Sequence, residues 1–107
     1  MGDPVAFLQE LIRAQREGEA AVQQCVADAA RRLGCAVERV RYRPGDVPMV
    51  AEFASAQAID TAARESVVAT FKGRGGGRSV IFFAHPDGEP VAAPERWRHD
   101  PFAGVIE

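Results

Sequence analysis

The stretch "SVVATFKGRGGGRSVIFFAHPDG", residues 66–88, constrains this chain more than any other part of it. Val67, Val68 and Phe71 lie on one side of a glycine-rich segment, and Val80, Ile81, Phe82 and Phe83 lie on the other. β-Branched and aromatic side chains lose rotamer freedom in a helix and pack well on a pleated surface, so both runs read as strands. Gly73-Arg74-Gly75-Gly76-Gly77-Arg78 between them reads as a flexible tip. The expectation is a β-hairpin with strands at about 66–72 and 79–84. A phosphate-binding loop is the other reading of these glycines, and it fails on context. Such a loop needs Lys-Ser or Lys-Thr leading into a helix, so that backbone amides and the helix N-terminus face the phosphate. Here a strand follows.

Upstream the periodicity turns helical. Asp3 can cap a helix whose first position is Pro4, and Phe7, Leu8, Leu11 and Ile12 form an apolar stripe. Gly18 interrupts or weakens the pattern. Val22, Cys25, Val26, Ala29, Ala30 and Leu33 then repeat at three and four residues, with Gly34 as a C-terminal cap. Helices are expected at about 4–16 and 18–33, with both stripes facing a core. Residues 37–42, Val-Glu-Arg-Val-Arg-Tyr, are β-compatible with an alternation that slips by one. The arginines at 31, 32, 39, 41 and 43 concentrate charge there, and a solvated edge explains them better than an anion site. Pro44-Gly45-Asp46 and Pro48 mark a turn, after which Val50, Phe53 and Ala54 have the pattern of partly buried residues. Beyond Asp87 a proline-punctuated loop follows, with Trp97 and Phe102 as its expected anchors. Gly104-Val105-Ile106 has the pattern of a further strand.

Length and charge exclude several classes. With 107 residues, 47% hydrophobic and 26% charged, the chain has the composition of one small folded domain. No apolar run approaches the ~20 residues of a membrane helix. Asp3 stands where a secretory signal carries basic residues, so a cytoplasmic location and no membrane partner are the default expectations. Cys25 and Cys35 are then free thiols, Cys25 as a small core residue. A net charge of −2 and a pI of 5.7 argue against nucleic acid as a partner.

The chemistry concentrates at His85-Pro86-Asp87. Strand ends are where side chains leave a core and meet a crevice. Pro86 biases His85 toward extended backbone, and residues i and i+2 of an extended chain project to the same side. A carboxylate on one imidazole N–H fixes the tautomer and makes the other nitrogen a better metal ligand. By itself a His-x-Asp pair is more often a turn or a hydrogen-bonded pair than a metal site. The segment "SVVATFKGRGGGRSVIFFAHPDGEPV", then "ERWRHDPFAGVIE", resembles the N-terminal part of the dinuclear-zinc deacylase and exopeptidase family. Members include acetylornithine deacetylase, succinyl-diaminopimelate desuccinylase, aminoacylases and carnosinase-type dipeptidases. The opening "FLQELIRAQREGEAAVQQCVADAARRLGCAVERV" is also similar to that family's first helix pair and strand, so the resemblance runs from about Phe7 to Glu107.

The resemblance implies an α/β fold: the start of a catalytic domain with a mixed sheet packed by helices and a Gly-rich β-hairpin. It implies that His85 is a zinc ligand and that Asp87 is the active-site aspartate orienting it. Trp97, Asp100, Pro101 and Phe102 match the structural segment that follows. Ala84 before the histidine and Gly88-Glu89-Pro90 after the aspartate depart from the family's Gly-His-x-Asp-Val-Val-Pro, and Glu89 and His99 take no role from it. The family uses two zinc ions, with a bridging aspartate and a Glu-Glu pair that lie beyond this segment. The expectation is therefore a fragment, residues 1–107 as one partial domain, of a hydrolase acting on small-molecule amides or peptides. As a fragment it is expected to be inactive, to bind zinc weakly or not at all, and to self-associate through apolar surface that the rest of the domain would cover. The alternative is a small non-catalytic interaction or oligomerisation module.

Overall fold

The computed structural model describes residues 2–46 and 62–107. The expected burial of Val50, Phe53 and Ala54, and the turn at Pro48, lie outside the described residues. Helix α1 spans Pro4–Ala14 and continues as a 3₁₀ turn over Gln15–Glu17. The Asp3 carboxylate accepts the Val5 amide at 2.9 Å, and Pro4 takes the first turn, where no backbone N–H is needed. Gly18 then breaks the helix at φ 95°, a left-handed conformation that costs a β-carbon-bearing residue strain. Helix α2, Glu19–Arg32, starts directly after it. Its end is a Schellman motif: Cys35 N–H donates to the Ala30 carbonyl at 3.0 Å and Gly34 N–H to the Arg31 carbonyl at 2.9 Å. Gly34 sits at φ 82°, as that motif requires.

Strand β1, Ala36–Tyr42, follows at once and pairs antiparallel with β2, Arg64–Thr70, in a register that sets Ala36 opposite Thr70 and Tyr42 opposite Arg64. The mixed α/β character read from the sequence is present: two helices and a two-stranded antiparallel sheet. The period-2 rule separates the faces of β1. Val37 and Arg39 are half-buried toward α2, and Val40 and Tyr42 are exposed on the other side. Arg39 reaches both Gln24 on α2 and Glu65 on β2, and Arg41 adds a 3.2 Å contact to the same Glu65. Arg39 and Arg41, two of the arginines of the edge, are thus held by neighbouring carboxylate and amide groups.

Among the described residues the buried apolar side chains are Val22, Ala27 and Ala30, with Gln23 also buried. Val22 and Ala30 belong to the expected stripe; Ala27 and Gln23 do not, because the sheet lies against a face rotated from the one the larger residues mark. Cys25 is half-buried rather than buried, and burial is the leading cause that raises its thiol pKa above the ordinary value, helped by Glu10 and Asp28. Leu33 and Leu8 are exposed, and α1 buries none of its residues. What α1 does instead is hold the returning chain with polar groups. Gln9 donates to the Gly104 carbonyl, Arg13 to the Ala103 carbonyl at 3.2 Å, and Arg16 pairs with Asp100 and lies 5.5 Å over the Phe102 ring. Residues 9, 13 and 16 share one helical face, and the loop is laid along it.

The expected Gly-rich hairpin is not confirmed. Residues 79–84 form no ladder with β2, whose partner is β1, and among the described residues the sheet has two strands. The chain leaves β2 through residues 71–78, with Gly75 and Gly76 both at positive φ, and does not fold back into hydrogen-bonding distance. The physical reason lies on both sides of the segment. Four glycines between Phe71 and Arg78 make the segment costly in backbone entropy to order. Residues 80–83 are apolar on both faces, yet no layer of the described structure covers either face, so pairing alone would gain little.

Candidate functional site

His85 follows the four apolar residues 80–83, as its place in the sequence predicts, and the local geometry brings its partner to it. His85 Nδ1 lies 3.1 Å from Asp87 Oδ1. With the proton on Nδ1, the imidazole donates to the carboxylate and its Nε2 lone pair is free. The histidine side chain is 91% exposed and that of Asp87 53%, so the free nitrogen faces solvent and not a core. Gln15, on the 3₁₀ turn after α1, donates its amide to the Pro86 carbonyl and so ties the pair to the helical layer. The same Gln15 side chain passes close to Gly88: a β-carbon there would stand 3.3 Å from Gln15 Cδ.

Asp87 stands between two clefts. One, of about 720 Å³, runs between the end of α1 and the returning loop and is lined by Gln15, Asp87, Glu89, Trp97 and Phe102. The other, of about 640 Å³, lies between β2 and residues 82–87, with Tyr42, Val67, Phe83 and His85 on its walls. Glu19 and Arg64 reach both clefts and are joined by a 2.9 Å ion pair. Neither Gln15 nor the Glu19–Arg64 pair stands out in the sequence. Their partners are 71 and 45 positions away, and no local spacing encodes such pairings.

The returning loop is organised by Asp100. Its carboxylate accepts the Phe102 amide at 2.9 Å, and its carbonyl accepts the Ala103 amide at 2.9 Å. The Phe102 amide first, and the Arg16 guanidinium second, hold the Asp100 carboxyl below the ordinary carboxylate value. Phe102 is half-buried and anchors the loop as expected. Trp97 is about half exposed and anchors it through its indole N–H, which donates to the Ala92 carbonyl at 3.2 Å. His99 is not brought to His85: its Nε2 lies 2.6 Å from Glu107, a carboxylate that also binds Arg98.

The donor set decides how well zinc fits. A catalytic zinc takes about three protein ligands and an open position. His85 offers one nitrogen and Asp87 its orienting carboxylate. Among the described residues no group of three or more His, Cys, Asp or Glu side chains is arranged around a common point. The pair fits a fraction of a zinc site and does not close one, so no catalytic step can be routed through a metal on these residues alone. Among the described residues no helix is long and apolar enough to cross a membrane. Comparison of the chain with models of protein families, with curated proteins and with solved structures gives no match.

Proposed function

We propose that this chain supplies the first ligand of a zinc-dependent amide hydrolase, a deacylase or peptidase acting on N-acyl amino acids or small peptides, and that by itself it is catalytically inert. The observation that carries the reading is the His85–Asp87 pair, 3.1 Å apart with Nε2 turned to solvent. This is the arrangement in which a carboxylate raises the basicity of a ligating imidazole. The resemblance of the surrounding segments to the dinuclear-zinc deacylase and exopeptidase family supports it. When bound, zinc would polarise an amide carbonyl and activate water. The part that falls to these residues is narrower. Asp87 holds the proton on Nδ1, Pro86 and Gln15 hold the backbone, and His85 presents Nε2.

Calorimetric titration of the chain with zinc, beside hydrolysis assays on N-acetyl amino acids and dipeptides, tests both halves. Weak zinc binding is expected, lost in His85→Ala and weakened about 10-fold or more in Asp87→Ala. Zinc binding unchanged by His85→Ala would remove the ligand assignment. Hydrolysis by this chain, abolished by a chelator, would overturn its inertness. A second reading, a non-catalytic interaction module, is favoured by one specific observation: the apolar residues 80–83 are all largely exposed.

A further inference from the structure

Residues 71–78, Phe-Lys-Gly-Arg-Gly-Gly-Gly-Arg, join β2 to the segment that carries His85 and Asp87. Every residue from 71 to 85 is exposed. Among the described residues, no backbone group from 73 to 84 takes part in a hydrogen bond, and Lys72, Arg74 and Arg78 have no ion pair. Gly75 and Gly76 stand at φ 93° and 77°, and a β-carbon built on Gly73, Gly75, Gly76 or Gly77 would meet nothing within 4 Å. No local structure has to melt before this backbone can be drawn out into a protease cleft, and exposed tips of small and polar residues are where proteases nick a fold. The cations add a side-chain signal. An endoprotease of the trypsin type holds Lys or Arg through a carboxylate in its primary pocket. The rest of the chain offers such an enzyme poorer sites. Arg13, Arg31, Arg32, Arg39 and Arg41 lie within hydrogen-bonded helix or strand, Arg43 precedes a proline, and residues 47–61 contain no Lys or Arg.

The geometry points to the bonds after Lys72, Arg74 and Arg78 as a processing site for an endoprotease of this class, and to release of the piece carrying His85 and Asp87 as the consequence. Water is the co-substrate. Its oxygen joins the carbonyl carbon of the cation, the C–N bond to the next residue breaks, and its two protons pass to the nitrogen, leaving a carboxylate and an ammonium. What then holds residues 79–107 to the helical layer is mostly polar and exposed. Gln15 donates to the Pro86 carbonyl, Gln9 to the Gly104 carbonyl and Arg13 to the Ala103 carbonyl. The side chains of the Arg16–Asp100 pair are 55% and 47% exposed, and Phe102 adds one half-buried ring. Contacts of this kind are individually weak. In the intact chain the tether keeps their effective concentration high. Once it is cut, the piece must meet the full loss of translational freedom to stay bound, and it departs. On the function proposed above, the cut takes the zinc ligand from the helical layer and switches the site off; neither cleavage nor release rests on that reading.

The test uses the whole 107-residue chain and dilute trypsin as the probe, with the products of a time course identified by mass spectrometry. The first new ends should fall at Lys72, Arg74 or Arg78. These bonds should be cut at least about tenfold faster than those after Arg13, Arg31 and Arg39, which open only when their elements do. The variant carrying Lys72→Gln, Arg74→Gln and Arg78→Gln should lose the early cut and keep its helical circular dichroism, because all three side chains are exposed. Size-exclusion chromatography of the quenched early digest should then separate the piece that begins at Gly73, Gly75 or Ser79 from the piece that carries α1 and α2. First cuts after Arg96 or Arg98, or within the helices, would overturn the processing site. So would an early cut rate unchanged in the triple variant. Co-elution of the two pieces at low micromolar concentration would overturn the release. No readout involves zinc, so a failed zinc titration leaves these outcomes intact and a failed digest leaves the ligand assignment intact.

Discussion

At the scale of the residue, the informative features are those whose partners lie close in sequence. His85 and Asp87 are two apart, and extended backbone enforced by Pro86 is enough to bring them within 3.1 Å. Asp3 and Gly34 are legible for the same reason, because a cap acts on the turn beside it. Gly34→Ala is expected to cost about 1 kcal/mol in urea denaturation, through left-handed strain alone, since open space surrounds the site of the missing β-carbon. Asp100 is a different case. Its loop role follows from Phe102 two residues on, but its pairing with Arg16 spans 84 positions and leaves no trace in spacing. Because its carboxyl is held below the ordinary 3.8, the loop contacts it makes are complete above that value. They are lost as the pH falls through the depressed folded value. Acid titration followed by the NMR shift of the Phe102 ring should therefore show the Asp100 contacts with Phe102 and Arg16 being lost at low pH. Arg16→Ala should move the Asp100 midpoint up only part of the way, since the Phe102 amide is the larger cause.

At the scale of the element, periodicity identifies the helices and β1 but leaves open which side of each is covered. The stripe at Val22, Cys25, Val26, Ala29, Ala30 and Leu33 is helical as its spacing predicts, yet the buried set is Val22, Gln23, Ala27 and Ala30. A small residue such as Ala27 carries little hydrophobic signal and becomes buried because the sheet approaches there. Among the described residues Val22 is the largest fully enclosed side chain, so Val22→Ala is expected to cost about 2 kcal/mol in thermal or urea denaturation. Leu8→Ala, on an exposed position of α1, should change stability by less than about 0.5 kcal/mol in the same assay. The alternation in β1 reads as a slip because Arg39 occupies an inward position. The structure accounts for it by placing Gln24 and Glu65 at the guanidinium.

At the scale of the whole molecule, the chain is expanded. Its radius of gyration is 16.9 Å, against about 13 Å for a compact domain of this length. Among the described residues the buried apolar side chains are Val22, Ala27 and Ala30, and the returning loop is held to α1 by hydrogen bonds and an ion pair. Hydrogen exchange at low micromolar concentration should show this division. Amides of α2 and of the paired β1 and β2 are expected to be the slowest, and those of residues 72–84 to exchange nearly as fast as an unstructured chain. Protection of 79–84 at that concentration would mean that the segment finds a strand partner within its own chain. By itself the sequence determined the elements that short-range physics controls: a capped helix, a glycine break, a second helix with its Schellman end, β-prone runs, and a histidine beside an aspartate. Only the tertiary structure decided which strand β2 pairs with, which helix face is covered, and that α1 holds the loop through Gln9, Arg13 and Arg16. Those outcomes depend on contacts between residues tens of positions apart, where local propensity is equal for several arrangements and the geometry of packing selects one.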